Sequence, residues 1–318
     1  MRNQDRDVPV YLITGFLESG KTSFINNTVR QDYFQIPEKT LIIACEEGEE
    51  EYFSGDLMRF RTEVVTVEEK EAFTEGFLED LAQRIKPDRV IIEYNPLWGM
   101  KDLEEMDLPE YWGVIQRIVL VDASTFQVYR NNMRSLFGDM CRNADLVLFN
   151  RAESDMPLTD FRRSIKAGNP ACDVAFEGSD GRMINIFEDS VPYDLEADVI
   201  QIDDIDFGIF YVDVREHPER YKGRKICFRG KVDKGRKPMA RVFAVGRMAM
   251  TCCAADMSFI GYLCDGANPA KLENGQWVRV EAVMDWKFMK EYRGRGPVFR
   301  VLKLETVEAP ETELVYFN

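Results

Sequence analysis

The sequence predicts an α/β domain with a doubly wound, mainly parallel sheet, followed by a small all-β domain that we expect to be an OB-like barrel. In the first two thirds of the chain, short apolar runs alternate with segments of helical periodicity. Beyond about residue 200, apolar runs follow one another with Gly- and Pro-bearing turns between them. We therefore expect domains at residues 1–190 and 206–318, joined by an acidic linker at residues 191–205.

Six apolar runs are the predicted strands of the first domain, and their continuity is typical of strands buried on both faces. The runs are VPVYLIT (8–14), KTLIIA (39–44), RVIIE (89–93), RIVLVD (117–122), ADLVLF (144–149) and ACDVAF (171–176). Apolar residues recur at helical spacing over residues 73–85 and 126–137, and Ser124 with Gln127 fits a capping box before the second of these helices. This alternation predicts a sheet covered by helices.

Six further runs are the predicted strands of the second domain. They are FGIFYVDV (207–214), KICFRGKV (225–232), ARVFAVGRMAM (240–250), SFIGYLC (258–264), QWVRVEAVMDW (276–286) and PVFRVLKLETV (297–307). Turns such as DKGRKP and YRGRGP separate them. Five or six strands with one short helix suit a closed OB-like sheet.

The composition indicates an ordinary globular protein. Of the 318 residues, 45% are hydrophobic and 31% are charged, which argues against a disordered, fibrous or disulfide-stapled chain. No run approaches the roughly 18 apolar residues of a membrane helix, and MRNQDRD lacks the apolar core of a signal peptide. Seven cysteines, an odd number, favour reduced thiols. We expect a cytoplasmic protein with no direct membrane insertion.

The net charge of −15 is divided unequally along the chain. Residues 1–214 carry 21 Lys and Arg against 43 Asp and Glu, a balance of −22, whereas residues 215–304 carry 20 against 9, a balance of +11. The basic stretch also holds aromatic residues that we expect to be exposed: Tyr221, Trp277, Trp286 and Tyr292. This stretch either docks on the acidic domain or binds single-stranded nucleic acid, and docking is favoured because the whole chain repels a polyanion.

A phosphate-binding motif, or P-loop, directly follows the first predicted strand. Residues 15–22, GFLESGKT, match GxxxxGK[ST] in the strand-to-helix context that the motif requires, so a chance Gly-rich turn is a weak alternative. Backbone amides of such a loop converge on phosphate oxygens, Lys21 reaches the outer phosphates, and Thr22 can ligate Mg²⁺. The expected nucleotide-binding residues here are Gly15, Glu18, Ser19, Gly20, Lys21, Thr22 and Ser23.

Phosphate chemistry at such a loop also needs a carboxylate near the metal. Glu93 ends the run RVIIE, which we expect beside the loop in a parallel sheet, and it completes a catalytic set with Lys21 and Thr22. Glu46 and Glu47, just beyond KTLIIA, are second candidates for binding Mg²⁺. A solvated acidic loop is the alternative explanation for them, because acidic residues continue through EEGEEE.

The segment NRAE (150–153) follows the strand ADLVLF, at the carboxyl edge of the predicted sheet. An Asn, a basic residue and an acid at this spacing can recognise guanine. The Asn150 amide would contact the purine edge, Arg151 would stack, and the Glu153 carboxylate would accept the ring and exocyclic N–H groups. A plain exit from strand to loop is the alternative.

Three cysteines of the second domain are candidates for a thiophilic metal site. Cys252 and Cys253 are adjacent, and with Asp256 and Cys264 nearby they could bind zinc or copper(I). The alternative is that they are small buried residues, as cysteines commonly are, and no CxxC spacing supports a metal. The single histidine, His217, is distant in sequence and fits a turn before Pro218.

Taken together, these motifs resemble the CobW-type GTPases, relatives of the nickel-insertion GTPases of urease and hydrogenase. The resemblance covers roughly residues 8–190 and includes ITGFLESGKTSFIN, ACEEGEE at an Asn-Glu-x-Gly switch segment, VIIEYNPLWG at a Glu-x-x-Gly segment, and ADLVLFNRAE. It implies GTP or GDP with Mg²⁺. Pro96 falls where the glycine amide would meet the terminal phosphate, which implies slow or partner-dependent hydrolysis, and the family's CxCC metal motif is absent. Arg151 and Glu153 replace the family's usual Lys and Asp.

The second domain resembles a different group. HPERYKGRKICFRGKV followed by GRMAMTCCAADMSFIGYL is similar to a small domain found in subunits of two-component membrane permeases, where a TCCAAD segment recurs. This resemblance implies a setting in metal homeostasis, with a permease or a metalloprotein as partner. The leading hypothesis is therefore a GTP-dependent switch with metallochaperone-like delivery. The alternative is a nucleotide-gated nucleic-acid-binding protein, and a small-molecule kinase is less favoured because no general base can be named.

Overall fold

The computed structural model describes residues 8–46, 48, 50–52, 54–186, 191–235, 242–250, 257–267 and 271–316, without the side chains at positions 54, 56, 58, 250 and 316. The chain divides into two compact units. The N-terminal unit comprises residues 1–158 and 171–185, and the C-terminal unit comprises residues 159–170 and 186–318.

The N-terminal unit is built on a seven-stranded sheet in which every strand pairing is parallel. Its strands are β1 Val8–Thr14, β2 Thr40–Ala44, β3 Thr62–Thr66, β4 Arg89–Glu93, β5 Trp112–Asp122, β6 Leu146–Ala152 and β7 Asp173–Gly178. Their order is β3-β2-β4-β1-β5-β6-β7, with β1 at the centre. The predicted doubly wound sheet is confirmed. The edge strand β3 had not been predicted, because its residues are half-buried and lack a continuous apolar run.

Helices connect these strands. They are α1 Lys21–Arg30, α2 Ser54–Arg59, α3 Glu75–Ile85, α4 Met100–Glu105, α5 Phe126–Asn132, α6 Arg134–Arg142 and α7 Leu158–Gly168. Helix α1 packs Ile25 and Val29 against the central strands. Helix α3 begins at a true side-chain cap, since Thr74 accepts a hydrogen bond from the Phe77 amide.

The prediction for residues 124–137 is wrong in two details. The helix begins at Phe126 after Thr125, and Ser124 donates its hydroxyl hydrogen to Asp122 Oδ1 at 2.6 Å instead of capping the helix. The predicted single helix is also broken at Met133, whose backbone leaves the helical region. The predicted capping box does not form because the Ser124 hydroxyl makes a hydrogen bond to Asp122, two residues earlier.

The C-terminal unit contains a mixed β-sheet. Its elements are β8 Ile200–Gln201, α8 Phe207–Glu216, β9 Lys225–Asp233, β10 Val242–Met250, β11 Met257–Asp265, β12 Trp277–Met289, β13 Gly294–Thr306 and β14 Val315–Tyr316. Strand β9 pairs with both β10 and β12, β10 pairs with β11, β11 pairs in parallel with β13, and β13 pairs with β12. These five strands therefore form a closed ring, while the OB-like assignment stays a prediction.

Glycines allow the ring to close where its strands approach most tightly. A Cβ atom at Gly246 would overlap the Ile260 carbonyl oxygen, and one at Gly261 would lie 2.7 Å from the Val245 carbonyl oxygen. Side chains at these positions would push β10 and β11 apart.

The segment FGIFYVDV is helix α8, so its prediction as a strand is wrong. Phe207, Phe210, Tyr211 and Val214 are all buried and recur at the i, i+3, i+4 and i+7 spacing of a helix face. The aromatic and β-branched composition imitated a strand, and a short apolar run does not separate the two by periodicity alone.

The expected exposure of the aromatics in the basic stretch is also wrong in part. Tyr221 is 0% exposed and Trp277 is 8% exposed, while Trp286 and Tyr292 are half-buried. Tyr221 donates its hydroxyl hydrogen to Asp213, and Trp277 lies beneath the buried Arg247 guanidinium. Polar partners inside the unit let these large side chains be buried despite the charged sequence around them.

The acidic stretch expected to be a linker contributes to the sheet of the C-terminal unit. Strand β8 pairs with β9, and Asp204 binds the guanidinium groups of Arg229 and Arg247. Among the helices of the described residues, none has the length and apolar character needed to cross a membrane.

Candidate functional site

The phosphate-binding motif forms the loop between β1 and α1. Gly15 and Gly20 have φ angles of 154° and 87°, and Glu18 has a φ angle of 60°. A Cβ at Gly15 would lie 2.5 Å from Ser19 Oγ, and one at Gly20 would lie 2.5 Å from Asn150 Nδ2. The backbone conformation thus favours glycine at both positions, and at Gly15 space requires it too, since a Cβ there would also lie 2.3 Å from the Leu120 carbonyl oxygen. The loop leads into helix α1, whose first residue is Lys21.

Lys21 is buried at the base of this loop. Its ammonium group donates hydrogen bonds to the carbonyl oxygens of Gly15 at 3.0 Å and Phe16 at 2.9 Å. It also forms an ion pair with Glu46 Oε2 at 2.5 Å. An ammonium group has three donors, so all three are engaged. The first two contacts hold the lysine inside its own loop, and the third joins it to the chain after β2.

Thr22 and Glu93 lie together beside the lysine. Thr22 donates its hydroxyl hydrogen to Glu93 Oε1 at 2.8 Å, and Tyr52 donates its hydroxyl hydrogen to Glu93 Oε2. Burial raises the pKa of Glu93 above its ordinary range, although the bonds from Tyr52 and Thr22 and the charge of Lys21 act in the opposite direction. A threonine hydroxyl next to a buried carboxylate is a donor set of hard oxygens, which fits Mg²⁺.

The predicted base-recognition residues end strand β6. Asn150 donates from Nδ2 to the Ser19 carbonyl oxygen at 2.7 Å, so its amide is attached to the P-loop. Asn150 Oδ1 and Ser19 Oγ are buried without a hydrogen-bond partner among the described residues. A buried acceptor without a partner costs stability, so it marks a place where a ligand donor would be favourable. Glu153 is exposed two residues beyond Arg151.

Arg151 turns toward the P-loop. Its Nη1 donates to the Glu18 carbonyl oxygen at 3.1 Å and to Asp122 Oδ2 at 2.6 Å, and its backbone is left-handed with a φ of 50°. Partial burial would raise the pKa of Asp122, but hydrogen bonds from Ser124 and Arg151 outweigh it and lower that pKa. Asp122 thus fixes the guanidinium beside the loop.

Most of these groups line one cleft of about 310 Å³ in the N-terminal unit, a volume within the range of small-molecule sites, whereas Asn150, Glu153 and Tyr52 are not among its lining residues. Its lining residues are Leu17, Glu18, Gly20, Lys21, Thr22, Ser23, Glu46, Gly48, Glu50, Glu93, Asp122 and Arg151. The structure therefore brings the predicted loop, Glu46, Glu93 and Arg151 together. Glu47 lies outside the described residues.

Asp122 and Tyr52 contact predicted site residues but were not predicted from the sequence. Asp122 ends the run RIVLVD at the carboxyl edge of the sheet, a position that could have marked it. Tyr52 has no sequence signal, because it reaches Glu93 from a stretch without regular structure. The same stretch binds α1 further, since Glu50 accepts a hydrogen bond from Ser23 and the Glu51 carbonyl accepts one from Asn26 at 3.2 Å.

Pro96 starts a short 3₁₀ turn, Pro96–Trp98, after β4. Asn95 Oδ1 accepts a hydrogen bond from the Leu97 amide at 3.0 Å, which caps that turn. In a Glu-x-x-Gly segment, the glycine three residues after the glutamate supplies a backbone N–H. Pro96 occupies that position after Glu93 and has no N–H to donate.

The predicted thiophilic site is described only in part. Cys252 and Cys253 lie outside the described residues. Cys264 is 0% exposed within the hydrophobic core of the C-terminal unit, and its Sγ lies 3.8 Å from the Tyr262 carbonyl oxygen. Burial raises the pKa of its thiol, which disfavours the thiolate that a metal needs. Across the described ranges, no group of three His, Cys, Asp or Glu side chains has the arrangement of a metal site.

Three solved structures match part of this chain. The Zn(II)-bound YjiA GTPase from E. coli is 20% identical, with a TM-score of 0.40, and the match covers 53% of this chain and 57% of that one. The hydrogenase maturation factor HypB from Archaeoglobus fulgidus is 19% identical, with a TM-score of 0.40 and coverages of 54% and 81%. The signal recognition particle receptor FtsY from Elizabethkingia anophelis is 14% identical, with a TM-score of 0.37 and coverages of 58% and 63%. This chain thus spans little more than half the length of YjiA.

No curated protein matches the chain. Two family models do match, and they divide the sequence between them. The model of the DUF1980 C-terminal domain matches residues 185–317. The model of the CobW/HypB/UreG nucleotide-binding domain matches residues 9–173, more than half of the chain, and includes the P-loop, Glu93 and Asn150. The chain belongs to the CobW/HypB/UreG nucleotide-binding family.

Proposed function

We propose that this protein is a Mg²⁺-dependent GTP-binding switch that hydrolyses GTP slowly or only with a partner. The observation that carries the proposal is the hydrogen bond from Thr22 to the buried Glu93 carboxylate, directly after Lys21 of a complete P-loop. Hydroxyl, carboxylate and ammonium at such a loop are the groups that P-loop proteins use for Mg²⁺ and phosphate.

The residues of the cleft have distinct roles in this proposal. Lys21 would stabilise the charge of the outer phosphates, and Thr22 with Glu93 would hold Mg²⁺, with Glu46 as a further candidate ligand. When bound, Mg²⁺ neutralises developing negative charge on the phosphates. Pro96 cannot donate a backbone hydrogen bond to the terminal phosphate, so we expect the chain to bind GTP better than it hydrolyses it.

Guanine selection is assigned to the end of β6. The unpartnered Asn150 Oδ1 is an acceptor at the place where the purine edge is expected, and Arg151 is held beside the loop by Asp122. Glu153, exposed nearby, would accept hydrogen bonds from the ring and exocyclic N–H groups of guanine.

We also propose a setting in metal homeostasis, with metallochaperone-like delivery through a permease or metalloprotein partner. Its support is membership in the CobW/HypB/UreG family. The permease partner rests only on the likeness of the sequence around TCCAAD to a domain of permease subunits. Zinc or another thiophilic metal would bind at Cys252 and Cys253, with Cys264 a weaker candidate because of its burial. The alternative, nucleic-acid binding by the basic unit, loses support because Tyr221 and Trp277 are buried.

The decisive experiment is a calorimetric titration of the full chain with GTP, GDP and ATP in Mg²⁺, followed by metal analysis after a chelating wash. We expect guanine nucleotides to bind at least about tenfold more tightly than ATP, and the Lys21→Ala variant to lose this binding. Phosphate release measured on the same samples tests hydrolysis. Undiminished GTP affinity in Lys21→Ala, verified as folded by its melting curve, would contradict the proposal.

A further inference from the structure

We propose that Glu46 is a built-in competitor for the nucleotide phosphate at Lys21, and that its displacement couples nucleotide binding to the chain after β2. This inference rests on the proposed function, because it names how the same cleft is regulated. It begins from the three contacts of the Lys21 ammonium group, which engage all of its donors.

A phosphate oxygen that reaches Lys21 must replace one of these three acceptors. Two of them are backbone carbonyls of the loop itself, at Gly15 and Phe16. The third is the Glu46 carboxylate, which belongs to another part of the chain and is 11% exposed. Rotation of one side chain releases Glu46, whereas release of the carbonyls requires rebuilding the P-loop. Glu46 is therefore the acceptor that leaves.

The negative charge of the cleft also favours displacement of Glu46 from Lys21 when a phosphate binds. Among the described residues, five carboxylate side chains line the cleft, from Glu18, Glu46, Glu50, Glu93 and Asp122, against the two cations Lys21 and Arg151. A polyphosphate adds several negative charges, and like charges at short range repel strongly where water is partly excluded. Its approach to Lys21 thus disfavours the carboxylate already bound there.

Displacement of Glu46 acts on a stretch that is also attached to the proposed Mg²⁺ ligands. Six residues further along the chain, Tyr52 donates to Glu93 Oε2, while Thr22 donates to the other oxygen of the same carboxylate. Between Glu46 and Tyr52, the Glu50 carboxylate accepts a hydrogen bond from the Ser23 hydroxyl of helix α1. Phosphate at Lys21 and Mg²⁺ at Glu93 therefore both compete with contacts made by this one stretch, which links the two events.

The test compares Glu46→Gln with wild type in GDP titrations, with and without Mg²⁺. The substitution keeps the shape of the side chain and removes the charge that competes with phosphate. We expect about tenfold tighter GDP binding in both conditions. Glu68→Gln is the matched control, because it makes the same charge change at an exposed position outside the cleft and should leave affinity unchanged.

An equal or weaker GDP affinity in Glu46→Gln would overturn the inference, and weakening confined to Mg²⁺ would identify Glu46 as a metal ligand instead. A second measurement needs no nucleotide. Hydrogen exchange of the ligand-free full chain should be at least about threefold faster at the Glu50–Tyr52 amides in Glu46→Gln, because the ion pair that attaches this stretch to Lys21 is replaced by a weaker neutral hydrogen bond. Unchanged exchange would also overturn the inference.

These readouts separate the two proposals. If wild type binds neither GTP nor GDP, the proposed function fails, and the exchange measurement still decides whether Glu46 holds the chain after β2. If wild type binds GDP but Glu46→Gln matches it in both affinity and exchange, the proposed function stands and the role of Glu46 as a competitor is rejected.

Discussion

Asn150 donates its side-chain amide to the Ser19 carbonyl oxygen at 2.7 Å, a contact between positions 131 residues apart. The contact sets the end of β6 against the P-loop, so the proposed base and phosphate sites share one rigid connection. It also explains Gly20, because a Cβ there would lie 2.5 Å from the same amide nitrogen.

We predict that Gly20→Ala weakens both folding and nucleotide binding. The φ angle of 87° costs a residue with a Cβ about 1–2 kcal/mol, and the added methyl displaces the Asn150 amide. Urea unfolding and GDP titration measure the two effects. Gly168→Ala is the control, since space around Gly168 is open and its φ is ordinary. Equal GDP affinity in Gly20→Ala and wild type would argue against a required glycine.

Thr22→Val should remove the effect of Mg²⁺ on nucleotide affinity while retaining the shape of the side chain. The hydroxyl that bonds Glu93 at 2.8 Å is lost, and valine offers no oxygen to a metal. We expect wild type to bind GDP at least about tenfold more tightly with Mg²⁺ than with chelator, and the variant to show no difference. Thr22→Ser should restore the dependence, and its failure to do so would locate Mg²⁺ elsewhere.

Glu153→Gln should reduce discrimination between GTP and ITP, the analogue that lacks the exocyclic amine. If the carboxylate accepts from that amine as well as from the ring N–H, its replacement weakens two charge-assisted bonds to GTP but only one to ITP, which keeps the ring N–H. We therefore expect about tenfold loss of GTP affinity and a clearly smaller loss for ITP. Competition titrations with both nucleotides provide the measurement. A parallel loss for GTP and ITP would mean that Glu153 does not contact the amine.

The stability of the N-terminal unit should depend on Asp122 in a pH-dependent manner. The pKa of Asp122 is lower in the folded chain than its ordinary value of 3.8, so its stabilising contribution is present above that value. The contribution is lost as pH falls through the lowered pKa. We expect Asp122→Asn to cost about 1 kcal/mol near pH 6, and this difference to shrink as the pH falls below 3.8 through the lowered pKa. Urea unfolding at several pH values measures it, and a constant difference would contradict the assignment.

Tyr221→Phe should destabilise the C-terminal unit by about 1–3 kcal/mol. The hydroxyl of Tyr221 donates a hydrogen bond to buried Asp213 and lies 2.7 Å from the Tyr193 hydroxyl. With phenylalanine, Asp213 and Tyr193 each lose this hydrogen-bond partner. Burial raises the pKa of Asp213, which makes its ionised form sensitive to lost donors. Tyr33→Phe is the control, since Tyr33 is 82% exposed. Equal unfolding free energies for the two variants would refute the prediction.

Predictions from the sequence were correct for elements that a local residue pattern determines. Continuous apolar runs predicted six strands of the parallel sheet, and GFLESGKT predicted the P-loop at the carboxyl end of β1. Glu93 was placed correctly beside Thr22, because the carboxyl ends of neighbouring parallel strands meet at one edge.

Predictions were wrong where more than one local reading was possible. The run FGIFYVDV suits a strand by composition and a helix by spacing, and burial against the C-terminal core decided for helix α8. Tyr221 and Trp277 stand among basic residues in sequence, and Asp213 and Arg247 supply the polar contacts that allow them to be buried. Neither partner can be identified from neighbours along the chain.

The sequence by itself determined the class of the N-terminal fold and the phosphate loop, because these depend on periodicity and on residue type at fixed spacing. The tertiary structure decided which side chains engage one another. Glu46 binds Lys21, Tyr52 binds Glu93 and Asp122 holds Arg151. Such pairs form between side chains that come from separate parts of the chain. Their strength depends on the distance between the two groups in the folded protein, and no local sequence pattern encodes that distance.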